Sequence, residues 1–213
     1  KKNAAFYEYL VPIIKGFSTE MSVEVTSLGI QVHGGMGFIE ETGAAQHYRD
    51  ARILPIYEGT TAIQANDLIG RKTYRDGGQV AQSIASLIQE TENQLKASGS
   101  IEAAAMLKHL NAARISYESV VAHIVANFKS EIKDVFAGAT TYLKLAGTLL
   151  SGWQMARALL VSEDRLSEDP DFYSAKIGTA YFYAEHLLSQ VPGMASAVIS
   201  GGRAVNQLRA EQF

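Results

Sequence analysis

The chain has 213 residues, of which 47% are hydrophobic and 19% are charged, and its formal net charge is -3. This composition is typical of a globular protein, because a disordered chain is poorer in apolar residues and richer in charge. The weakly acidic balance offers no basic surface for nucleic acid, and the absence of cysteine excludes disulfides and zinc–thiolate sites within the chain.

Residues 1 to about 30 are predicted to form one helix, because their apolar side chains recur at spacings of three and four. Pro12 is expected in its first turn, where a proline fits best. No run of about 18 uncharged apolar residues occurs anywhere, so we predict no transmembrane helix. The first residue is Lys1 rather than methionine, and we expect that the chain starts partway through a longer protein.

A glycine-rich run, His33-Gly34-Gly35-Met36-Gly37, follows this helix. Glycine permits positive φ angles and allows another molecule to approach the backbone closely. The run matches neither the GxGxxG dinucleotide pattern nor the GxxxxGK[ST] phosphate loop. By itself, it indicates a helix C-cap and a tight turn.

Two helices are predicted to flank residues 54–60. The first covers residues 44–53 and ends before Pro55, because proline disfavours α geometry in the preceding residue. The second begins at Thr60 or Thr61, either of which can cap free amide groups. The residues between them therefore lie just before a helix N-terminus, where backbone N–H groups favour negative charge.

Glu58 is the candidate catalytic base of this link. A glutamate has a pKa of about 4.3 in water, and enclosure by apolar groups such as Ile56 and Tyr57 is expected to raise that pKa. Gly59 leaves room for a substrate beside the backbone. On spacing alone, a surface glutamate in an ordinary helix–helix turn explains the same residues.

The rest of the chain is predicted to be helical after a polar break at residues 73–78. Ser98-Gly99-Ser100 is expected to end one helix and cap the next. Asp169-Pro170 is a helix start signal, while Pro192-Gly193 is expected to break or kink the last long helix. Since no strand alternation is present, the sequence predicts an all-α fold in which residues 79–213 form an antiparallel helical bundle.

Between Gln31 and Lys72 the sequence resembles the C-terminal signature of the acyl-CoA dehydrogenases. Three motifs occur in the order and at the spacing of that family: the Q-x-x-G-G-x-G-F run from Gln31, the block Tyr48-Arg49-Asp50-Ala51-Arg52, and Ile56-Tyr57-Glu58-Gly59-Thr60. The resemblance implies an FAD-dependent enzyme that converts an acyl-CoA thioester to the enoyl-CoA. Residues 1–74 would then be part of the C-terminal helical domain of such an enzyme.

The resemblance also implies roles for the residues of the third motif. Glu58 is expected to remove the α-proton of the thioester while the β-hydride passes to the flavin. Tyr57 and Gly59 are expected to border the thioester, and Thr60 and Thr61 to contact FAD.

The same resemblance implies that the glycine-rich run contacts the cofactor. Gln31, Gly34 and Gly35 match the segment that contacts the adenosine diphosphate half of an FAD held mainly by a neighbouring subunit. Ala62 departs from the family pattern, because many relatives carry a glutamine there that contacts FAD. Alanine cannot make that side-chain hydrogen bond to the cofactor, while the base expected at Glu58 is unaffected.

Residues 79–213 resemble the additional C-terminal domain of the longer bacterial acyl-CoA dehydrogenases, through the segments 169–173 and 183–188. The resemblance implies a homo-oligomer, either a dimer or a tetramer, that passes electrons to an electron-transfer flavoprotein. It implies the cytoplasm for a bacterial protein and the mitochondrion for a eukaryotic one. Because the family's flavin-binding β-domain would lie upstream, the 213-residue chain alone is expected to be inactive.

The sequence also contains residues that bear on other sites and functions. None of the five histidines has a histidine four positions later, so no HExxH-type metal site is predicted. Arg49 and Asp50 are expected to form a partly buried ion pair. Two alternative functions fit the sequence: an acyl-CoA oxidase-like flavoenzyme, and, for residues 79–213, a helical oligomerisation or partner-binding module without chemistry of its own.

Overall fold

A computed structural model describes residues 2–212. All regular structure within these residues is helical, so the predicted all-α fold is confirmed. The α-helices are α1 (Lys2–Val32), α2 (Ala44–Ile53), α3 (Thr61–Asp67), α4 (Gln79–Ser98), α5 (Ile101–Asn127), α6 (Ile132–Ala137), α7 (Ala139–Asp164), α8 (Pro170–His186) and α9 (Val191–Val205). A π-helix, Leu68–Tyr74, continues α3. Short 3-10 helices lie at Gly34–Gly37, Glu40–Thr42, Leu188–Gln190 and Ala210–Gln212.

Local capping signals set several helix boundaries. Ser100 accepts a hydrogen bond from the Ala103 N–H at 2.9 Å and caps α5. Asp169 accepts one from the Phe172 N–H at 3.1 Å at the start of α8. Gly99 adopts a φ of 77° and ends α4, as glycine does at helix C-termini. These three predicted boundaries are confirmed.

Two predictions about the positions of prolines are wrong. Pro12 lies buried in the interior of α1 rather than in its first turn. Pro192 lies in the first turn of α9 and so begins a helix instead of breaking one. The break precedes it, at residues 187–190, because a first-turn proline loses no intrahelical hydrogen bond. Within residues 2–212, no helix has an apolar stretch long enough to cross a membrane.

One hydrophobic core contains residues from both predicted domains, 1–74 and 79–213. Helix α7 packs against α1 and α3 and also against α5, α8 and α9. Gly147 of α7 lies against the ring of Phe17 of α1, and an added Cβ there would stand only 2.6 Å from Phe17 Cδ1. Helix α7 therefore holds α1 beside the bundle, while the division into two domains at the turn 75–78 stays a prediction.

A buried cluster of tyrosines also joins the two parts of the chain. The Tyr9 hydroxyl of α1 is hydrogen-bonded to the Tyr117 hydroxyl of α5 at 2.5 Å and to the Tyr142 hydroxyl of α7 at 2.8 Å. Thr73, in the π-helix, is hydrogen-bonded to Tyr142 at 3.0 Å. Burial raises the pKa of each of the three tyrosines above its ordinary value. Since buried hydroxyls are costly without partners, this network favours one relative position of α1, α5 and α7.

Candidate active site

The link between α2 and α3, residues 54–60, is a tight turn with an unusual backbone. Glu58 has a φ of 52° and Gly59 a φ of 95°. Among residues 2–212, Glu58 is the one residue other than glycine with a positive φ. A side-chain-bearing residue held there costs on the order of 1–3 kcal/mol, and such strain is concentrated at functional sites. The strained residue is therefore the same one that the sequence predicts as the base.

Hydrogen bonds from two other elements hold this turn. Lys15 of α1 donates from Nζ to the carbonyl oxygen of Leu54 at 3.0 Å and to that of Gly59 at 2.6 Å. The backbone N–H of Thr61 donates to the carbonyl oxygen of Pro55 at 3.1 Å. The two ends of the turn are thus bridged, and the left-handed residues between them are constrained.

The Glu58 side chain is exposed in this chain. Ile56 and Tyr57 are 47% and 48% exposed, so the prediction that these two side chains enclose Glu58 is wrong. The reason is that all three residues belong to the same surface link, and neither neighbour folds back over the carboxylate. Apolar cover for Glu58 has to come from groups other than these two side chains.

Free backbone N–H groups accompany the carboxylate. The backbone N–H groups of Glu58 and Thr60 donate to no acceptor within residues 2–212. The N-cap of α3 is Thr60, but its side chain accepts no capping hydrogen bond. The Thr61 hydroxyl donates instead to the Glu20 carboxylate of α1 at 2.5 Å. Thr60 is therefore the N-cap residue, as predicted, but the predicted hydrogen bond from a threonine side chain is not made. The unpaired N–H groups remain able to bind a negatively charged oxygen.

The predicted contacts to the adenosine diphosphate half of FAD lie at the end of α1. Gln31 is exposed in the last turn of this helix, and Gly34 follows with a φ of 59°. A Cβ added at Gly34 or Gly35 would meet no atom within 4 Å, whereas one added at Gly37 would stand 2.9 Å from Ile30 C and closer to its oxygen. Gly37 therefore permits the turn itself, and Gly34 and Gly35 leave open backbone for an approaching molecule.

The two groups of predicted FAD contacts lie at different positions along α1. Thr61 contacts Glu20 on α1, and Gln31 follows on the same helix, about 16 Å further along at 1.5 Å per residue. Each group has its own exposed surface. The predicted contacts of both groups with FAD stay predictions.

Arg49 pairs with a different acid from the one predicted. It forms two hydrogen bonds with the Glu40 carboxylate, at 2.8 Å and 2.7 Å, and these bonds hold the pKa of Glu40 below its usual value. Asp50 accepts a hydrogen bond from Gln46 at 2.8 Å. The predicted Arg49–Asp50 pair is wrong, because adjacent helical residues face different directions. The observed pair fastens the 3-10 helix Glu40–Thr42 to α2.

Three residues that contact the turn or the start of α3 were not predicted from the sequence: Lys15, Glu20 and Gln64. Lys15 carried a signal in the sequence, because it stands in the apolar part of the first predicted helix, three positions after Pro12 and next to Gly16. A lysine on the packed face of a helix requires acceptors nearby. Glu20 and Gln64 carried no comparable signal, since their contacts depend on how α1 and α3 cross.

The chain matches two family models. "Acyl-CoA dehydrogenase, C-terminal domain" matches residues 2–72, and "Acetyl-CoA dehydrogenase C-terminal like" matches residues 79–209. These matches agree with the all-α fold and with the Ile56–Thr60 motif at the α2–α3 link. The chain belongs to the acyl-CoA dehydrogenase family.

Curated relatives place the chain within a subgroup of that family. It is 47% identical over 197 residues to 3-methylmercaptopropionyl-CoA dehydrogenase of Ruegeria pomeroyi, covering 92% of this chain and 33% of the relative. It is 29% identical over 190 residues to the broad-specificity linear acyl-CoA dehydrogenase FadE5 of Mycobacterium tuberculosis, covering 85% and 31%. The chain thus resembles the long bacterial type, as predicted, and spans about a third of the length of these relatives.

Another relative matches a smaller part of the chain. The mitochondrial short-chain specific acyl-CoA dehydrogenase of Sus scrofa is 47% identical over 60 residues, covering 27% of this chain and 14% of the relative. The likeness to this enzyme is therefore confined to a segment much shorter than the chain.

Proposed function

We propose that this chain is the C-terminal part of an FAD-dependent acyl-CoA dehydrogenase in which Glu58 removes the α-proton of an acyl-CoA thioester. The observation that carries the proposal is the conformation of the α2–α3 link. Its left-handed residues combine an exposed carboxylate with unpaired backbone N–H groups on one turn. Removal of a proton next to a carbonyl needs a base and a donor for the oxygen that gains negative charge.

Each group of the turn has a distinct part in this reaction. The Glu58 carboxylate accepts the α-proton, and the backbone N–H of Glu58 donates a hydrogen bond to the thioester carbonyl oxygen. That hydrogen bond strengthens as negative charge develops on the oxygen, so it lowers the barrier to proton removal. Tyr57 and Gly59 border the thioester, because they flank the base in the same exposed link.

The residues that would contact FAD fit such a group. Thr60 is exposed, and its hydroxyl makes no capping hydrogen bond. Thr61 donates to Glu20 and keeps oxygen lone pairs as acceptors. Gly34 and Gly35 present open backbone. When bound, FAD supplies the acceptor for the β-hydride; the chain's own residues orient the thioester and hold the proton that leaves the α-carbon.

Large apolar side chains beside the glycine-rich run support assembly with other parts of the protein or with a second subunit. Val32, just before the run, is 86% exposed, and Phe38, just after it, is 82% exposed; large apolar side chains this exposed support a role in an interaction surface. We therefore include a homo-oligomer, a dimer or tetramer, in the proposal. Electron-transfer flavoprotein as the electron acceptor and the bacterial cytoplasm as the location stay predictions.

The alternatives from the sequence are not favoured by a specific observation. No contact in the turn separates a dehydrogenase from an acyl-CoA oxidase. For residues 79–213, the packing of α7 on α1 and α3 supports a role in holding the catalytic segment in place, so a separate oligomerisation or partner-binding module stays a prediction.

The test is Glu58→Gln in the complete dehydrogenase polypeptide. The variant is expected to keep flavin, while the rate constant of flavin reduction by acyl-CoA falls by about 10²–10⁴-fold, the usual contribution of a general base. Glu90→Gln, an exposed position on α4, is the matched control and is expected to react like the unaltered enzyme. Normal flavin reduction by Glu58→Gln would place the base elsewhere.

A further inference from the structure

The Lys15 side chain contacts the candidate catalytic turn in three places. Its ammonium group donates to the carbonyl oxygens of Leu54 and Gly59, at 3.0 Å and 2.6 Å. It also lies 5.7 Å from the centre of the Tyr57 ring, within the distance at which a cation is attracted to an aromatic face. The three contacts fall on both sides of Glu58.

The backbone between these contacts is the part that most needs a restraint. Glu58 and Gly59 both have positive φ, and glycine reaches many other conformations at little cost. The other hydrogen bond from a side chain to this part of the turn is weak, because Gln64 Nε2 lies 3.5 Å from the Glu58 carbonyl oxygen. The short charge-assisted bond from Lys15 to Gly59 is the stronger of the two.

The position of Lys15 depends on close packing of α1. The next residue, Gly16, is buried, and an added Cβ there would stand 2.6 Å from Leu143 Cδ2 and 3.2 Å from Gln64 Cβ. The absence of a side chain at this position lets α1 approach α3 and α7 closely. The Lys15 ammonium therefore reaches the turn from a helix that is itself fixed in the core.

We propose that Lys15 is a positioning residue for the base. By binding the carbonyl oxygens of Leu54 and Gly59, it fixes the peptide planes at the two ends of residues 54–59. It thereby limits rotation of the peptide planes between them, which set the directions of the Glu58 side chain and of the Glu58 N–H. The carboxylate must aim at the α-carbon while the N–H aims at the thioester oxygen, so rotation of one peptide plane misaligns both groups. This inference rests on the proposed function of Glu58.

The test compares Lys15→Met with Lys15→Arg in the complete dehydrogenase polypeptide. Methionine keeps the length and packing of the stem without a donor, whereas arginine restores charge and donors. Lys108→Met, at an exposed position on α5, is the matched control. If Lys15→Met does not fold, Lys15→Gln, which keeps an N–H donor on a shorter stem, is measured in the same way.

We expect Lys15→Met to bind flavin and to keep the KM for acyl-CoA within about two-fold, while kcat falls by about 10²-fold, a typical cost of misplacing reacting groups by about 1 Å. Lys15→Arg should recover a large part of this loss. Hydrogen exchange should become faster in peptides covering residues 54–61 and stay unchanged elsewhere, a readout that does not depend on catalysis. The Lys108→Met control should match the unaltered enzyme in all three measurements.

The outcomes separate this inference from the proposed function. If Lys15→Met leaves both kcat and exchange in residues 54–61 unchanged, or changes exchange without changing kcat, Lys15 does not position the base. If Glu58→Gln abolishes flavin reduction in the same experiment, the proposed function survives that result. If Glu58→Gln reacts normally, the proposed function itself fails, whatever Lys15→Met does.

Discussion

The crossing of α1 and α7 is expected to be sensitive to a single added methyl group at Gly147. An alanine Cβ there would stand 2.6 Å from Phe17 Cδ1 and closer still to Cγ. These atoms lie at the base of the ring, so Phe17 cannot move away unless its χ angles or the whole of α1 shift. Gly147→Ala should therefore separate the two helices that join the catalytic segment to the bundle.

The magnitude follows from two opposing effects. Replacing glycine by alanine inside a helix stabilises it by about 1 kcal/mol, and overfilling a packed site costs about 1–3 kcal/mol. The matched control is Gly178→Ala in α8, also inside a helix, where an added Cβ meets no atom within 4 Å. Because helix propensity contributes equally to both variants, their difference in free energy of unfolding should be about 1–3 kcal/mol, with Gly147→Ala the less stable.

Urea unfolding followed by circular dichroism measures this difference directly. For a chain of this size, the corresponding separation of melting temperatures is roughly 2–12 °C. Equal stabilisation by the two substitutions would refute the reasoning, since it would mean that α1 and α7 do not pack as closely as the position of Phe17 against Gly147 requires.

Two further predictions concern a cap and the buried tyrosines. Ser100→Ala should lower the free energy of unfolding by about 1 kcal/mol in urea denaturation, because the hydrogen bond from the Ala103 N–H is lost; no change would mean that this cap is not important in solution. In an alkaline titration of phenolate absorbance, Tyr9, Tyr117 and Tyr142 should ionise only on unfolding, and Tyr183, whose pKa burial raises to about 12, well after the exposed tyrosines. Since these pKa values are raised in the folded state, their contribution to stability is complete below about pH 10 and is lost as pH rises above it; ionisation of all ten tyrosines near pH 10 without unfolding would contradict the burial.

Much of the fold was predictable because the signals that determine it are local. The spacing of apolar residues predicted the helices, and the caps at Ser100 and Asp169 were correct because each acts on an amide three residues away. The Ile56–Thr60 motif predicted the family and the candidate base in the same way. A pattern of neighbouring residues was sufficient in each case.

The sequence did not predict features that depend on contacts between distant residues. The local sequence predicts that Pro12 lies in the first turn of a helix. In the structure it lies buried in the interior of α1, where packing with other helices determines its position. The left-handed φ of Glu58 requires a turn whose ends are bridged by Lys15, which is far away in the chain. Tyr9, from the same helix, becomes a hydrogen-bonded core residue only when α5 and α7 pack beside it.

The sequence by itself therefore determined that the chain is helical, where several of its helices begin or end, and which acid is the candidate base. Only the tertiary structure decided how that acid is held and which residues hold it. The physical reason is range: helix periodicity and capping act over about four residues, whereas the Lys15 bridge and the tyrosine cluster form only after helices distant in sequence have packed together.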